Sequence, residues 1–206
     1  MTTTKTIPSL FVILVGCGSA QPAAETPAGL PPAESVLTEP LDEDALPDFL
    51  FLNIQVRGFG YIKVELFGWD APANVTNVAN LAIDGYYDGL TFHRILAGKL
   101  IQGGDPEGTG KGGPGYTVPA EIQHTHEKGC MAMARKADEV NPEKESSGSQ
   151  FYLCLTDLPG LDGEYTVIGR IVEGLDVAEA IGEVLTDDRD FPLEDVVMES
   201  VTVTTE

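Results

Sequence analysis

The 206-residue chain is short of positive charge: 12 Lys and Arg stand against 33 Asp and Glu, a formal net charge of −21. Binding to a nucleic-acid backbone runs on lysine and arginine, so nucleic acid is excluded as a partner. The chain also offers no membrane-spanning helix at its N-terminus. The apolar run from Ile7 to Val15, broken by Pro8 and Ser9, falls well below the roughly 20 residues a span requires. Thiols are scarce, with two of the three cysteines, Cys130 and Cys154, lying beyond residue 17. What positive charge there is lies unevenly. From Arg94 to Lys144 seven basic residues balance seven acidic ones, leaving 5 against 26 elsewhere.

Residues 1–17, "MTTTKTIPSLFVILVGC", have the proportions of a signal peptide. They end in Leu14-Val15-Gly16-Cys17, which resembles the lipobox of bacterial lipoproteins. The resemblance implies cleavage before Cys17 and lipidation of its sulfur. Acyl chains contribute about 0.8 kcal/mol per buried methylene and so hold a soluble domain at a membrane. The expected location is the bacterial cell envelope, lipid-anchored, with Gly18 after the cysteine favouring the outer membrane facing the periplasm. Residues 18–47 carry prolines among Ala, Glu, Thr and Ser without apolar periodicity. They read as a disordered linker.

Residues 48–206 form the expected folded domain, and most of it reads as strands. "FLFLNIQVRGFGYIKVELF" alternates on both sides of Gly58-Phe59-Gly60, the pattern of a hairpin. "DAPANVTNVANLAIDG" changes to helical period, with Val75, Val78, Ala79 and Ala82 on one face. Short strands follow at "LTFHRIL", "KLIQGG", "TVPAEI", "GCMAMAR", "SQFYLCL" and "YTVIGRIV". A second helix fits "GLDVAEAIGEVL", and "DVVMESVTVTT" alternates as a closing strand. This predicts a mainly β fold, a closed barrel capped by two helices.

Several motifs lead nowhere. "GTGKGG", Gly108 to Gly113, meets a dinucleotide-binding spacing, but Pro114 and Pro119 bar the helix that must follow, and no Ser or Thr follows Lys111 as a P-loop requires. His124 and His126 lack further metal ligands and read as exposed loop residues, so no metal is expected. The sequon at Asn74 falls inside the first helix. If "CMAMA" and "FYLC" pair antiparallel with Met133 opposite Phe151, Cys130 lies opposite Cys154, close enough to bridge. A disulfide and two buried free thiols are both compatible with that register.

One stretch stands out, "FHRILAGKLIQGGDP". It sets Arg94 and Gln102 among residues suited to a barrel wall, with no serine or cysteine nucleophile beside the arginine. With "MAMAR", "SSGSQFYLCL" and "LDGEYTVIGRIVEGLDV", it resembles the cyclophilin family of peptidyl-prolyl isomerases from about Asn53 to Val203. The resemblance implies an eight-stranded antiparallel barrel with a helix at each end and a groove on its outer surface, Arg94 and Gln102 facing out and Phe92 toward the core. It implies Arg94 as the catalytic arginine, with Gln102 and Gln150 orienting the peptide. Leu100, Tyr152, Leu161 and Tyr165 would line a proline pocket, and Gly108, Ala134 and Arg135 a neighbouring subsite. No cofactor is required. The expected protein is a monomer acting on proline-containing, unfolded or flexible polypeptides; a non-catalytic proline-peptide-binding or chaperone module on the same fold is the alternative. The pattern breaks at three places: Lys99 stands where a phenylalanine is usual, Gly160 where several relatives have tryptophan, and Tyr152 where phenylalanine is common. A lost aromatic wall removes about 1–2 kcal/mol of binding.

Overall fold

The computed structural model describes Met1 and residues 35–206. The signal segment, Cys17 and the linker up to residue 34 therefore lie outside the described residues. The elements in chain order are β1 (Ser35–Val36), β2 (Leu50–Val56), β3 (Gly60–Leu66), α1 (Pro72–Ile83), β4 (Phe92–Leu96), β5 (Leu100–Gly103), β6 (Thr117–Val118), β7 (Cys130–Met133), β8 (Ser146–Ser147), β9 (Phe151–Cys154), β10 (Val167–Glu173), α2 (Leu175–Ile181) and β11 (Met198–Thr205). The fold is mainly β with two helices, as expected.

Nine strands make one antiparallel sheet in the order β1-β11-β2-β3-β10-β7-β9-β5-β4, and β6 pairs with β8 separately. After β1, the eight strands from β11 to β4 follow one another in that order. At the far edge the chain entering β4 meets the chain entering β11. Thr91 bridges Val197, Phe92 N–H donates to Val196 O at 2.9 Å, and Met198 N–H to Leu90 O at 2.8 Å.

The ninth strand corrects the linker boundary. Residues 35–47 lie against the domain: Ser35 pairs with Thr205, and Leu37, Leu41 and Leu46 pack on the core. Leu41 and Asn80 exchange two hydrogen bonds, Leu41 N–H donating to Asn80 Oδ1 at 2.6 Å and Asn80 Nδ2 to Leu41 O at 3.1 Å. Three leucines, with Pro40 between the first two and Pro47 after the third, have no periodicity to read, and only the surface they meet gives them a place.

Alternation along the strands feeds two apolar clusters. Met131, Met133, Phe151, Leu153 and Ile101 point into the main core with Leu52, Ile54, Ile62 and Val64. Their neighbours Cys130, Ala132, Tyr152, Cys154 and Leu100 point the other way and form a second cluster with Val167. A period of two has this consequence in any strand buried on both faces. Helix α1 covers the core with Val75, Val78 and Ala79, all fully buried. Its first N–H groups are capped from a distance: Glu121 accepts from Ala73 N–H at 3.1 Å and Asn74 N–H at 3.0 Å, while Asp70 pairs with His124 instead. A carboxylate at a helix N-terminus satisfies orphan donors and opposes the helix dipole.

Candidate active site

The second cluster forms the outer face of β5, β9 and β7, and the polar residues of interest lie beside it. The pairing of β4 with β5 sets Phe92 opposite Gly103 and Arg94 opposite Gln102, with a register shift between them. His93 is the extra residue of that bulge. Strict alternation would put Phe92 and Arg94 on the same face; the bulge reverses one of them. Phe92 is fully buried in the main core, while the Arg94 side chain is 42% exposed on the outer face.

From Arg94 a polar row crosses three strands. Arg94 Nη1 approaches Gln102 Oε1 at 3.5 Å, Gln102 Nε2 donates to Gln150 Oε1 at 2.9 Å, and Gln150 Nε2 donates to Gly112 O at 2.8 Å. The second face of the guanidinium meets Asp190, with Nε 3.7 Å from Oδ2. Gln150 is held near the row by Ser147, whose Oγ accepts its N–H at 3.0 Å. Gly104 lets β5 run this close to Gln150: its φ is +84°, and a Cβ there would lie 2.3 Å from the Ser149 carbonyl oxygen.

Next to this row the four residues expected to line a proline pocket do come together. Leu100, Tyr152, Leu161 and Tyr165 belong to the one outer apolar cluster. The Tyr152 and Tyr165 rings meet edge to face with centroids 5.8 Å apart. The Tyr152 hydroxyl is not presented to the groove; it lies 2.9 Å from His126 Nε2, and His126 Nδ1 lies 3.1 Å from Asp162 Oδ1. With a carboxylate accepting at Nδ1, the imidazole carries its proton there and accepts the tyrosine proton at Nε2. Burial pushes the Tyr152 hydroxyl well above its ordinary value, so it remains a donor. Hydrogen bonds from the His126 N–H and ring hold the Asp162 carboxyl below its usual range. His126 is thus buried and partnered, not the exposed loop residue expected from sequence. No three-residue metal-ligand group occurs among the described residues.

The neighbouring subsite forms in part. Ala134 and Arg135 line a cleft of about 780 Å³ together with Gln102, Gly112, Ser147 and Gln150. Gly108 does not; it lines a separate cleft on the far side of Glu107. The glycine loop turns away there, held by the Asp105 carboxylate. Arg135 has little freedom to meet a ligand. Its guanidinium lies over the Tyr165 ring at 4.8 Å and bonds Glu164, both at the carbonyl (2.7 Å) and at the carboxylate (3.0 Å), and also Asp138. Arg135 therefore braces Tyr165. Lys99 and Gly160, the two departures from the aromatic pattern, are both exposed.

Cys130 and Cys154 face each other in the expected register, since Met133 pairs with Phe151 and Met131 with Leu153. Of the two alternatives the structure has the free thiols, both buried. The hydrogen bond with Cys154, and then burial, push the Cys130 thiol far above its ordinary value, so that sulfur stays protonated.

The residues that carry Asp162, His126 and Asp190 were not singled out as site residues from sequence. For His126 the paired-histidine spacing drew attention to the right residue for the wrong chemistry.

Comparison with known proteins adds an independent line. Residues 51–203 match the family model described as cyclophilin type peptidyl-prolyl cis-trans isomerase/CLD. A peptidyl-prolyl cis-trans isomerase of Helicobacter pylori is 42% identical over 153 residues, 72% of this chain and 90% of that protein. Peptidyl-prolyl cis-trans isomerase B of Bacillus subtilis is 43% identical over 133 residues, 62% of this chain and 89% of its own. Among solved structures, a cyclophilin type isomerase of Cryptosporidium parvum, crystallised in the presence of the dipeptide Ala-Pro, superposes with a TM-score of 0.70 at 29% identity. It covers 76% of this chain and 99% of its own.

Proposed function

The chain belongs to the cyclophilin-type peptidyl-prolyl cis-trans isomerases, and we propose that it isomerises Xaa-Pro bonds in the groove where the Arg94 row meets the Tyr152 cluster. The reaction it must accelerate makes no covalent bond and moves no proton. The two isomers of an Xaa-Pro bond differ by about 0.5–1 kcal/mol, and amide resonance sets a barrier of about 18–20 kcal/mol. Bringing relaxation from tens of seconds to milliseconds takes roughly 5.5–7 kcal/mol off that barrier. A twisted amide has a pyramidal nitrogen that accepts a hydrogen bond, which the planar amide does not. A guanidinium aimed at that nitrogen favours the transition state over both ground states.

Each part of the site has a role in this reading. Arg94, held between Gln102 and Asp190, supplies the donor. Gln102 and Gln150, linked to each other, orient the peptide backbone. Leu100, Tyr152, Leu161 and Tyr165 hold the proline ring while the carbonyl side rotates. The observation that carries the assignment is this juxtaposition: one row of donors and acceptors bordering one apolar cluster on the same outer face. The relative crystallised with Ala-Pro supports a proline-containing peptide as the ligand. We read the eight strands from β11 to β4 as a barrel, closed where Thr91 meets Val197.

The lipobox-like run ending in Cys17 supports an exported protein, lipid-anchored at the bacterial cell envelope and acting as a monomer on folding chains there. The test of the activity is a protease-coupled or NMR exchange assay on an Xaa-Pro peptide. Catalysed exchange is expected; exchange at the uncatalysed rate would overturn the reading.

A further inference from the structure

The bulge that turns Arg94 outward leaves His93 with nowhere ordinary to go. Its residue exposure is 3%, yet neither ring nitrogen makes a well-formed hydrogen bond; the Thr91 backbone is the one group near enough to draw on a ring N–H, which leaves the other nitrogen without a partner. A buried unpartnered polar group costs about 1–3 kcal/mol, and a native chain keeps one where something else completes it. The ring lines a cleft of about 350 Å³ with Thr91, Glu107, Phe191, Pro192 and Asp195. Burial, ahead of the opposing influence of Asp105, pushes the His93 imidazole below its ordinary value, so it is neutral and offers one acceptor nitrogen.

The rest of the cleft says what would meet that acceptor. Glu107 and Asp195 are exposed carboxylates with no ion pair among those found in the described residues. Phe191 and Pro192 give a partly buried apolar wall between them. Acid at the rim, an apolar wall and a neutral acceptor at depth suit an aliphatic stem that ends in a cationic donor. The cleft also adjoins the groove across Glu107, which lines both it and the cleft of Gln102 and Gln150. Phe191 follows Asp190, the partner of Arg94.

We propose that this cleft is a specificity site for a lysine or arginine side chain of the substrate polypeptide, flanking the proline held in the groove. The inference rests on the isomerase reading of that groove. It gives the enzyme a preference for basic proline-containing segments, in keeping with the chain's net charge of −21.

The experiment compares otherwise identical Xaa-Pro peptides carrying lysine, its neutral isostere norleucine, or glutamate at each position on either side of the proline. At one position lysine should exceed norleucine in kcat/KM by about threefold or more, through KM, and added salt should shrink the ratio. Glutamate at that position should fall below norleucine. In the Glu107→Gln/Asp195→Asn protein the lysine-to-norleucine ratio should drop to near one. Calorimetric titration of the same peptides gives the ratio of Kd values without turnover, and the His93 imidazole nitrogen signals should move with the lysine peptide alone. Equal kcat/KM and Kd for lysine and norleucine at every position would overturn the site, as would a ratio undiminished in the double variant. Absence of turnover with a retained lysine preference in Kd would overturn the isomerase reading and leave the cleft standing.

Discussion

Phe92 and Arg94 lie two residues apart on one strand and face opposite sides of the sheet, because the register shifts by one residue between them. The core gains an aromatic ring that is fully buried, and the groove gains a guanidinium opposite Gln102. An arginine placed this way has its stem outside the core, and its removal leaves no cavity there.

Arg94→Ala is therefore expected to lower kcat/KM at least tenfold, about 1.4 kcal/mol of transition-state stabilisation, with the thermal midpoint close to that of the parent. Arg94→Lys should recover little, since an ammonium lacks the rigid fork that Gln102 and Asp190 hold in place. The protease-coupled assay on both variants checks this. Full activity of Arg94→Ala would end the assignment.

Tyr152 and His126 should show strong coupling. His126→Phe leaves the Tyr152 hydroxyl buried without its acceptor, a loss of about 1–3 kcal/mol. The double variant His126→Phe/Tyr152→Phe removes both polar partners and should regain much of that stability and the KM of the parent. A double-mutant cycle on thermal stability and KM measures the coupling. Additive losses would mean that the Tyr152–His126–Asp162 chain of hydrogen bonds does not order the pocket.

Lys99→Phe is expected to tighten binding of a proline peptide by about 1 kcal/mol. Lys99 is exposed in the turn between Leu96 and Leu100, both members of the outer apolar cluster, and a ring there extends the wall. Peptide titration by calorimetry reads the change, and unchanged or weaker binding would show that this turn does not border the proline ring.

Asp105 ties the glycine loop to the sheet. Burial disfavours its charge, but N–H groups of Glu107, Thr109 and Gly112 at 2.8, 2.9 and 3.2 Å outweigh it and hold the carboxyl below its ordinary value. A folded-state value below the unfolded one stabilises the protein above the unfolded carboxylate range, around pH 3.9. That stabilisation disappears as pH falls through the lowered value. Asp105→Asn should destabilise the protein at neutral pH by about 1–3 kcal/mol and flatten the acid limb of the stability curve. Thermal midpoints from pH 7 to pH 2 for both proteins decide it; parallel curves would refute the tie.

In the proposed lipoprotein the acyl chains on Cys17 form the anchor, so Cys17→Ser should release the protein from membranes while leaving isomerase activity in vitro unchanged. Metabolic labelling with a fatty acid provides the check. A parent protein without label, or a serine variant that stays membrane-bound, would make residues 1–17 an ordinary or uncleaved signal.

Some of this protein could be read directly from its residues. The hairpin on either side of Gly58-Phe59-Gly60 and the helix carrying Val75, Val78 and Ala79 both follow from local periodicity, which a strand or helix imposes on its own sequence. The register that sets Cys130 against Cys154 is one pairing the strands allow, and the sheet selects it. The family motifs likewise picked out Arg94, Gln102 and Gln150, which the fold does assemble into one hydrogen-bonded row. Other features depended on surfaces far away in the chain. Leu37 and Leu41 order only because the core and Asn80 meet them, Glu121 caps a helix that begins 49 residues earlier at Pro72, and Gly108 is carried out of the subsite by the Asp105 loop. The two histidines show the division most plainly. Nothing local distinguishes His93 from any residue of an apolar strand, or His126 from a loop residue. One is set apart by a bulge, the other by a tyrosine and an aspartate that reach it across sequence separations of 26 and 36. Hydrogen bonds and burial of that kind are properties of positions in space, and a residue acquires them only when the chain has closed around it.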